Sequence, residues 1–200
     1  DGAELSLLAK MRPGLVQLEI GVQSINQKTL RAVRRYTNLE RLRHTVVRIH
    51  AEHNIHIHLD LIAGLPYEDL TSFVRSFDAV YTMRPQQLQL GFLKVLKGSY
   101  LAEMAEEWGI VSRSEPPYEV LCTKWLSFAD IIRLKRVEEM VELYYNSGQF
   151  THVLPLLELR FQSPFALFSA LADYYEKEGY RKNSPSREYR YQVLLDFAKK

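Results

Sequence analysis

Three short runs alternate apolar with polar residues, and the stretches between them have helical period. The first is Val16-Gln17-Leu18-Glu19-Ile20-Gly21-Val22-Gln23-Ser24. The second is His56-Ile57-His58-Leu59-Asp60-Leu61-Ile62 and the third Gln87-Leu88-Gln89-Leu90-Gly91-Phe92. Successive side chains of a strand point to opposite faces, so each run gathers its aliphatic residues on one side and Gln, Glu, His or Asp on the other. An order of strand, helix, strand, helix, strand calls for a parallel sheet, because parallel neighbours need a crossover. Parallel strands are commonly apolar on both faces. These are not, so their polar faces are expected to look into a shared interior that is wet or holds a polar ligand, while the apolar faces meet helices. The alternative is an antiparallel sheet with one solvated face, for which the connections are too long and too helical.

The remaining elements are marked by stripes and stop signals. Leu5, Leu8 and Met11 mark a helix over 4–11, stopped by Arg12-Pro13-Gly14. Asn26 is placed to cap a short helix with Leu30 and Val33 inward. Thr37 and Glu40 have capping-box spacing ahead of the stripe Leu39, Leu42, Val46 and Ile49. Gly64-Leu65-Pro66 breaks the second strand at its carboxyl end, and Leu70, Phe73, Val74, Phe77 and Val80 mark the next crossover helix. Gly98-Ser99 precedes a short helix through Trp108, closed by Gly109. Residues 112–118 read as a connector and divide the chain into domains 1–111 and 119–200, the second helical throughout. There Trp125, Phe128 and Ile132 begin one element, and Val137, Met140, Val141 and Tyr144 make another. Ser163-Pro164 opens a third, carrying Phe165, Phe168, Leu171, Ala172 and Tyr175 up to Gly179. Residues 181–190, with Arg181, Lys182, Arg187 and Arg190, read as a solvated basic loop before a last helix through Tyr191, Leu194, Leu195 and Phe197.

Composition bounds the partners. The 26 basic residues are nearly balanced by 24 acidic ones, for a formal charge of +2, and no arginine-aromatic array points to nucleic acid. No apolar run reaches the roughly 18 residues of a membrane span. The single cysteine, Cys122, makes no internal disulfide, fits a reducing, cytoplasmic setting, and cannot by itself hold a zinc ion or a cluster. The opening Asp1-Gly2-Ala3-Glu4, without an initiator Met, is expected to lie inside a longer protein. His50, His53, His56 and His58 fall on a helix end and a strand with no cysteine beside them, so they read as hydrogen-bonding side chains and no metal site is assigned. Cys122 itself reads as a small buried residue, and the aromatic stripes of the tail as core or as a partner surface.

In barrel-like α/β folds, function gathers at the carboxyl ends of the strands. Gln23, Asp60 and the Gly64-Leu65-Pro66 turn stand there. A carboxylate such as Asp60 can accept two hydrogen bonds from a vicinal diol, and Gln23 offers a donor and an acceptor. Arg35 can fork onto a carboxylate. Together they suit a nucleoside carrying an amino acid. The plain alternative makes Gln23 and Asp60 polar strand ends, and Arg35 a solvated arginine beside Arg34.

Over residues 15–100 the chain resembles the radical S-adenosylmethionine enzymes. The branch is that of oxygen-independent coproporphyrinogen oxidase and the cobalamin-binding enzymes such as the anaerobic magnesium-protoporphyrin monomethyl ester cyclase. The resemblance is carried by Glu19-Ile20-Gly21-Val22-Gln23-Ser24, by Leu30, Arg35 and Thr37, and by Leu59-Asp60-Leu61-Ile62-Ala63-Gly64-Leu65-Pro66, with Phe92 to Ser99 like the next strand and turn. It implies the carboxyl-terminal half of a partial (β/α) TIM-like barrel with parallel strands, followed by an all-α region. It also implies S-adenosylmethionine as cofactor, with Gln23 and Asp60 on the ribose and Arg35 on the methionyl carboxylate. Glu19, Ser24 and Gly64 of the same motifs join them as cofactor-binding residues.

The family's [4Fe-4S] cluster needs three cysteines, which this chain lacks, so its ligands are expected outside these residues, in the amino-terminal half of the same barrel. The cobalamin-binding branch adds cobalamin as a further cofactor. The tail, with Tyr144-Tyr145, Ser163-Pro164-Phe165 and Tyr174-Tyr175, resembles an uncharacterised extension found on some cobalamin-domain radical proteins. The implied activity is reductive cleavage of S-adenosylmethionine for radical chemistry on an unidentified small molecule, of oxidative-cyclase type in the tetrapyrrole branch. The alternative is a non-catalytic α/β binding module whose helical tail docks a protein. No acid–base set within 1–110 identifies a catalytic residue of another kind.

Overall fold

The alternating runs form strands β1 (Gln17–Gln23), β2 (His56–Ala63) and β3 (Gln87–Phe92), parallel and in the order β1-β2-β3. The computed structural model describes residues 2–180 and 185–200. The chain divides into two compact units, Asp1–Ile131 and Ile132–Lys200.

In the first unit the sheet is dry on one face. Val22, Ile57, Leu59, Leu61 and Leu88 are completely buried there, as are Phe73, Phe77 and Tyr81 of the crossover helix α4 (Leu70–Tyr81). Each such side chain contributes about 1.5–3 kcal/mol by leaving water. Leu18 and Ile20, on β1 at one edge of this sheet, are only half-buried. Asp69 caps α4, its side chain accepting from the Ser72 amide at 2.8 Å.

The other crossover runs through α2 (Gln27–Ala32) and α3 (Leu39–Ala51). Asn26 caps α2 as its type and place suggest, and Leu30 is buried. The cap of α3 is Asn38, whose side chain accepts from the Arg41 amide at 2.9 Å, not the Thr37 of the expected capping box. An amide side chain one residue nearer the helix reaches that orphan donor first. The opening helix is shorter than its stripe suggests: α1 (Gly2–Leu8) buries no side chain fully, and Asn54 donates to Leu8 O and Met11 O beyond its end.

Past β3 the helix α5 (Tyr100–Glu103) is a single turn capped by Ser99. The stretch read as a connector is the turn of an antiparallel pair, β4 (Val111–Ser112) with β5 (Val120–Cys122). Tyr118 O accepts from Val95 N, and Leu93 O from Val120 N, tying the turn back to the end of β3. The two compact units divide at Ile131/Ile132, and β5 lies just past residue 119.

The boundary falls inside α6 (Phe128–Met140), which runs without a break into π-helical turns over Val141–Asn146. One continuous element thus replaces the two that the stripes suggested. The second unit adds α7 (Leu154–Glu158), α8 (Pro164–Glu178) and α9 (Arg187–Ala198). Ser163 caps α8 and Gly179 ends it at φ 65°, the left-handed conformation that glycine adopts at no steric cost. Phe165, Phe168, Leu171, Ala172 and Tyr175 are all buried, so the stripe is core.

The expected basic loop is corrected in part. Arg187 opens α9, and Arg190 is 8 % exposed, donating to Leu143 O at 2.6 Å and to Gln149 Oε1 at 2.7 Å. Arg181 and Lys182 lie outside the described residues. No described helix is long and apolar enough to cross a membrane.

Candidate functional site

The polar face of the sheet holds Gln17, Glu19, His56, His58, Asp60 and Gln89, because parallel partners in register share a side. Glu19 pairs with His58 and Gly21 with Asp60, which in turn lies beside Gln89 of β3. Strict alternation would put Gln23 with them, but β1 does not keep it. A bulge falls between Gly21 and Gln23, and Gln23 has φ 67°, a conformation uncommon for a residue with a side chain. The bulge swings the Gln23 amide back over Gly21. A Cβ added to Gly21 would stand 2.4 Å from Gln23 Nε2 and 3.4 Å from Arg35 Nη2. Arg35, exposed, also donates from Nη2 to Gly21 O at 3.4 Å. Gln23 and Arg35 therefore converge on a bare glycine next to Asp60.

Asp60 is the unsatisfied member. Its Oδ1 is buried with no hydrogen-bond partner among the described residues. Burial raises its pKa, the Glu19 carboxylate adds to the rise, and His58 opposes it. An acceptor held out of water in this way favours a ligand hydroxyl that donates to it. A cleft of ≈ 450 Å³, within the size range of small-molecule sites, is lined by Gly21, Val22, Arg35, Asn38 and Arg41 among others; it shares Gly21 and Arg35 with this cluster, while Asp60 and Gln23 are not part of its lining.

The other expected site residues behave differently. Ser24 does not join the polar face: it is fully buried, donates to Glu68 Oε1 at 2.6 Å and accepts from the Asn26 amide at 2.9 Å. As an even-numbered position it shares the buried side with Val22. Gly64, at φ 92°, lies against β5, where an added Cβ would meet Val120 Cγ1 at 2.7 Å. Its lack of a side chain thus has a packing reason. Glu19 is exposed, accepts from Gln17 Nε2 at 3.2 Å, and acts on Asp60 through its charge.

Two features went unnoticed in the sequence. Glu68 is fully buried, and its Oε1 accepts from Ser24 and from Ser76 at 2.9 Å while Oε2 has no partner among the described residues. Burial pushes its pKa up to about 7 against the pull of both serines. In the run Tyr67-Glu68-Asp69, the glutamate looks like an ordinary polar turn residue, and nothing local signals its burial. Around the carboxyl ends of the strands there is also an aromatic cluster. Tyr67 lies 4.5 Å from Trp125 and 6.4 Å from Trp108, and Tyr100 lies 5.9 Å from Trp108. Lys28 stands over Tyr67 at 4.2 Å and Arg34 over Tyr100 at 3.7 Å. Arg34 is thereby committed to a ring, and Arg35 faces the glycine.

Residues 106–200 match the model of a family described as "Protein of unknown function (DUF4080)". No curated protein matches. Six chains among solved structures match, including coproporphyrinogen III oxidase (HemN) from Escherichia coli, described as a radical SAM enzyme. The identity is 27 %, over 39 % of this chain and 18 % of that one, with a TM-score of 0.37. This chain thus spans under a fifth of that protein's length. A superposition at that score decides nothing about the fold, which rests on the strand register above.

The residues fit one of the implied groups and not another. Asp60 as acceptor, Gln23 as donor and acceptor, and Arg35 as a charged donor suit the diol and carboxylate of S-adenosylmethionine. For a [4Fe-4S] cluster these residues do not fit. Cys122 is the chain's single thiol, and the described residues include no group of three His, Cys, Asp or Glu placed for a metal ion.

Proposed function

We propose that this chain supplies the S-adenosylmethionine-holding face of a radical enzyme whose cluster ligands lie elsewhere in the same protein. The observation that carries the reading is the orphaned Asp60 Oδ1 beside the Gly21 cradle, where Gln23 and Arg35 converge. In it, Asp60 accepts from the ribose hydroxyls, Gln23 orients the same sugar, and Arg35 forks onto the methionyl carboxylate. Gly21, lacking a side chain, leaves room for the Gln23 amide and the Arg35 guanidinium to come together over the strand. Burial, with the Glu19 carboxylate adding to it, holds the Asp60 carboxyl more basic than usual, which strengthens it as an acceptor. S-adenosylmethionine, when reduced at an iron–sulfur cluster, supplies a carbon-centred radical, and the role of these residues is to position its nucleoside.

Among the described residues β1 pairs only with β2, so its outer edge is open to a further strand, and the amino-terminal half of the barrel is the proposed occupant. The family resemblance extends the proposal to an oxidative, cobalamin-assisted reaction of the tetrapyrrole-cyclase kind on a small molecule. The test is the iron content and ultraviolet–visible spectrum of the intact gene product, purified without oxygen. A cluster absorption that changes on adding S-adenosylmethionine supports the proposal. A protein with no iron that ignores the nucleoside is instead a non-catalytic module with a partner-docking tail.

A further inference from the structure

The second unit contains a cleft of ≈ 460 Å³ where the end of α7, one face of α8 and the last residues of α9 meet. We propose that it binds a small, flat, apolar molecule carrying one anionic group such as a carboxylate, sulfonate or phosphate.

The floor is aromatic. Phe161 and Phe197 lie parallel within 6° at a centroid distance of 5.9 Å, and Tyr174 lies 5.4 Å from Phe197. Leu157 and Ala170 complete the apolar lining. Rings held at fixed angles offer a planar guest a stacking surface at little entropic cost, whereas a flexible aliphatic chain gains no directional contact from them. The rim is basic. Arg160 donates one guanidinium hydrogen to Ala198 O at 2.8 Å, which fixes its plane and leaves other donors for a guest. Lys200 stands 4.5 Å over the Tyr174 ring and pairs with Glu178, so its charge is already matched. The other charged residues of the lining are Arg160 and Lys177 against the single carboxylate of Asp173, two cations to one anion. An apolar floor beneath an excess of positive charge selects an amphiphilic anion over a neutral hydrocarbon. The site lies wholly within the second unit and is independent of the S-adenosylmethionine reading.

The experiment uses two dyes of one shape on the whole chain. 8-Anilinonaphthalene-1-sulfonate and N-phenyl-1-naphthylamine share their rings and differ by a sulfonate. The sulfonate dye is expected to bind with a stoichiometry near one and more tightly than the neutral dye, with an affinity that falls as salt rises. Lys177→Glu, at an exposed helix position, is expected to weaken the sulfonate dye roughly threefold to tenfold and leave the neutral one unchanged. Arg187→Glu, ten residues before Phe197 on α9, is expected to change neither. Phe197→Leu keeps the apolar volume but removes the ring, and is expected to weaken both dyes. Equal binding of the two dyes overturns the proposal, as does a Lys177→Glu protein that holds the sulfonate as tightly as the parent.

Discussion

The two units bury polar groups in different proportions of met and unmet hydrogen bonds. In the second, several of the groups close on one another: the Tyr144 and Tyr175 hydroxyls lie 2.6 Å apart, and Arg190 bonds Leu143 O and Gln149 through both terminal nitrogens, with its Nε buried and without a partner among the described residues. Burial raises the pKa of both tyrosines, and the hydrogen bond between them adds to the rise at Tyr144 and opposes it at Tyr175. In the first, Asp60 Oδ1, Glu68 Oε2, Thr29 Oγ1 and Trp108 Nε1 are buried with no partner among the described residues. An unmet buried acceptor costs about 1–3 kcal/mol. A ligand or a proton can offset such a cost, and Asp60 lies within β2 while Glu68 follows its carboxyl end. The paired tyrosines and Arg190 of the second unit tie helices together, whereas the unmet carboxylate oxygens of the first lie on the sheet's polar face and beside it, which is the ground of the proposal above.

The largest contrast lies between the faces of the sheet. Leu59→Ala, at a completely buried position, should lower unfolding stability by about 2–5 kcal/mol in urea titrations. His58→Ala, one residue away on the polar face, should change it by no more than about 0.5 kcal/mol. Comparable losses at both positions would mean that the polar face is core.

Next comes pH. Glu68 carries a pKa near 7 when folded against 4.5 for an ordinary glutamate. Below about pH 4.5 it is protonated in both states and costs nothing. Between 4.5 and 7 the unfolded chain ionises first, so stability falls as pH rises, and above 7 the full penalty applies. At 1.36 kcal/mol per pKa unit the loss is about 3 kcal/mol. Glu68→Gln should remove that slope between pH 5 and 8, and a slope unchanged by the substitution would place the titration elsewhere. A smaller effect is expected in the second unit. Tyr175→Phe should cost about 1 kcal/mol for the lost hydroxyl pair, by the same amount at pH 5 and pH 8. A pH-dependent loss there would erase the contrast.

The strands were legible because period two carried by Leu, Ile and Val is a strong signal, and their parallel pairing came from the helical length between them. The strands β4 and β5 were not, since two and three residues hold too little periodicity to register. The start of α9 was hidden for a different reason. Arg190 is charged and read as solvent-facing, yet its guanidinium reaches backbone carbonyl and amide acceptors that only the fold brings near. At the candidate site, alternation put Gln23 and Asp60 on one face for an incomplete reason. The bulge at Gly21 breaks the alternation, and a left-handed Gln23 restores the side chain to that face. Ser24, one position beyond Gln23, falls on the side of Val22 that alternation assigns to it, in contact with Glu68 and away from the polar face.

The central claim is that the polar face beside Gly21 receives the nucleoside of S-adenosylmethionine, and calorimetry on the intact gene product, with its cluster reconstituted, tests it most directly. Asp60→Ala should weaken S-adenosylmethionine binding by about 1–3 kcal/mol, while His44→Ala, on the exposed side of α3, leaves it unchanged. Equal affinity in the parent and the Asp60→Ala protein would contradict the account.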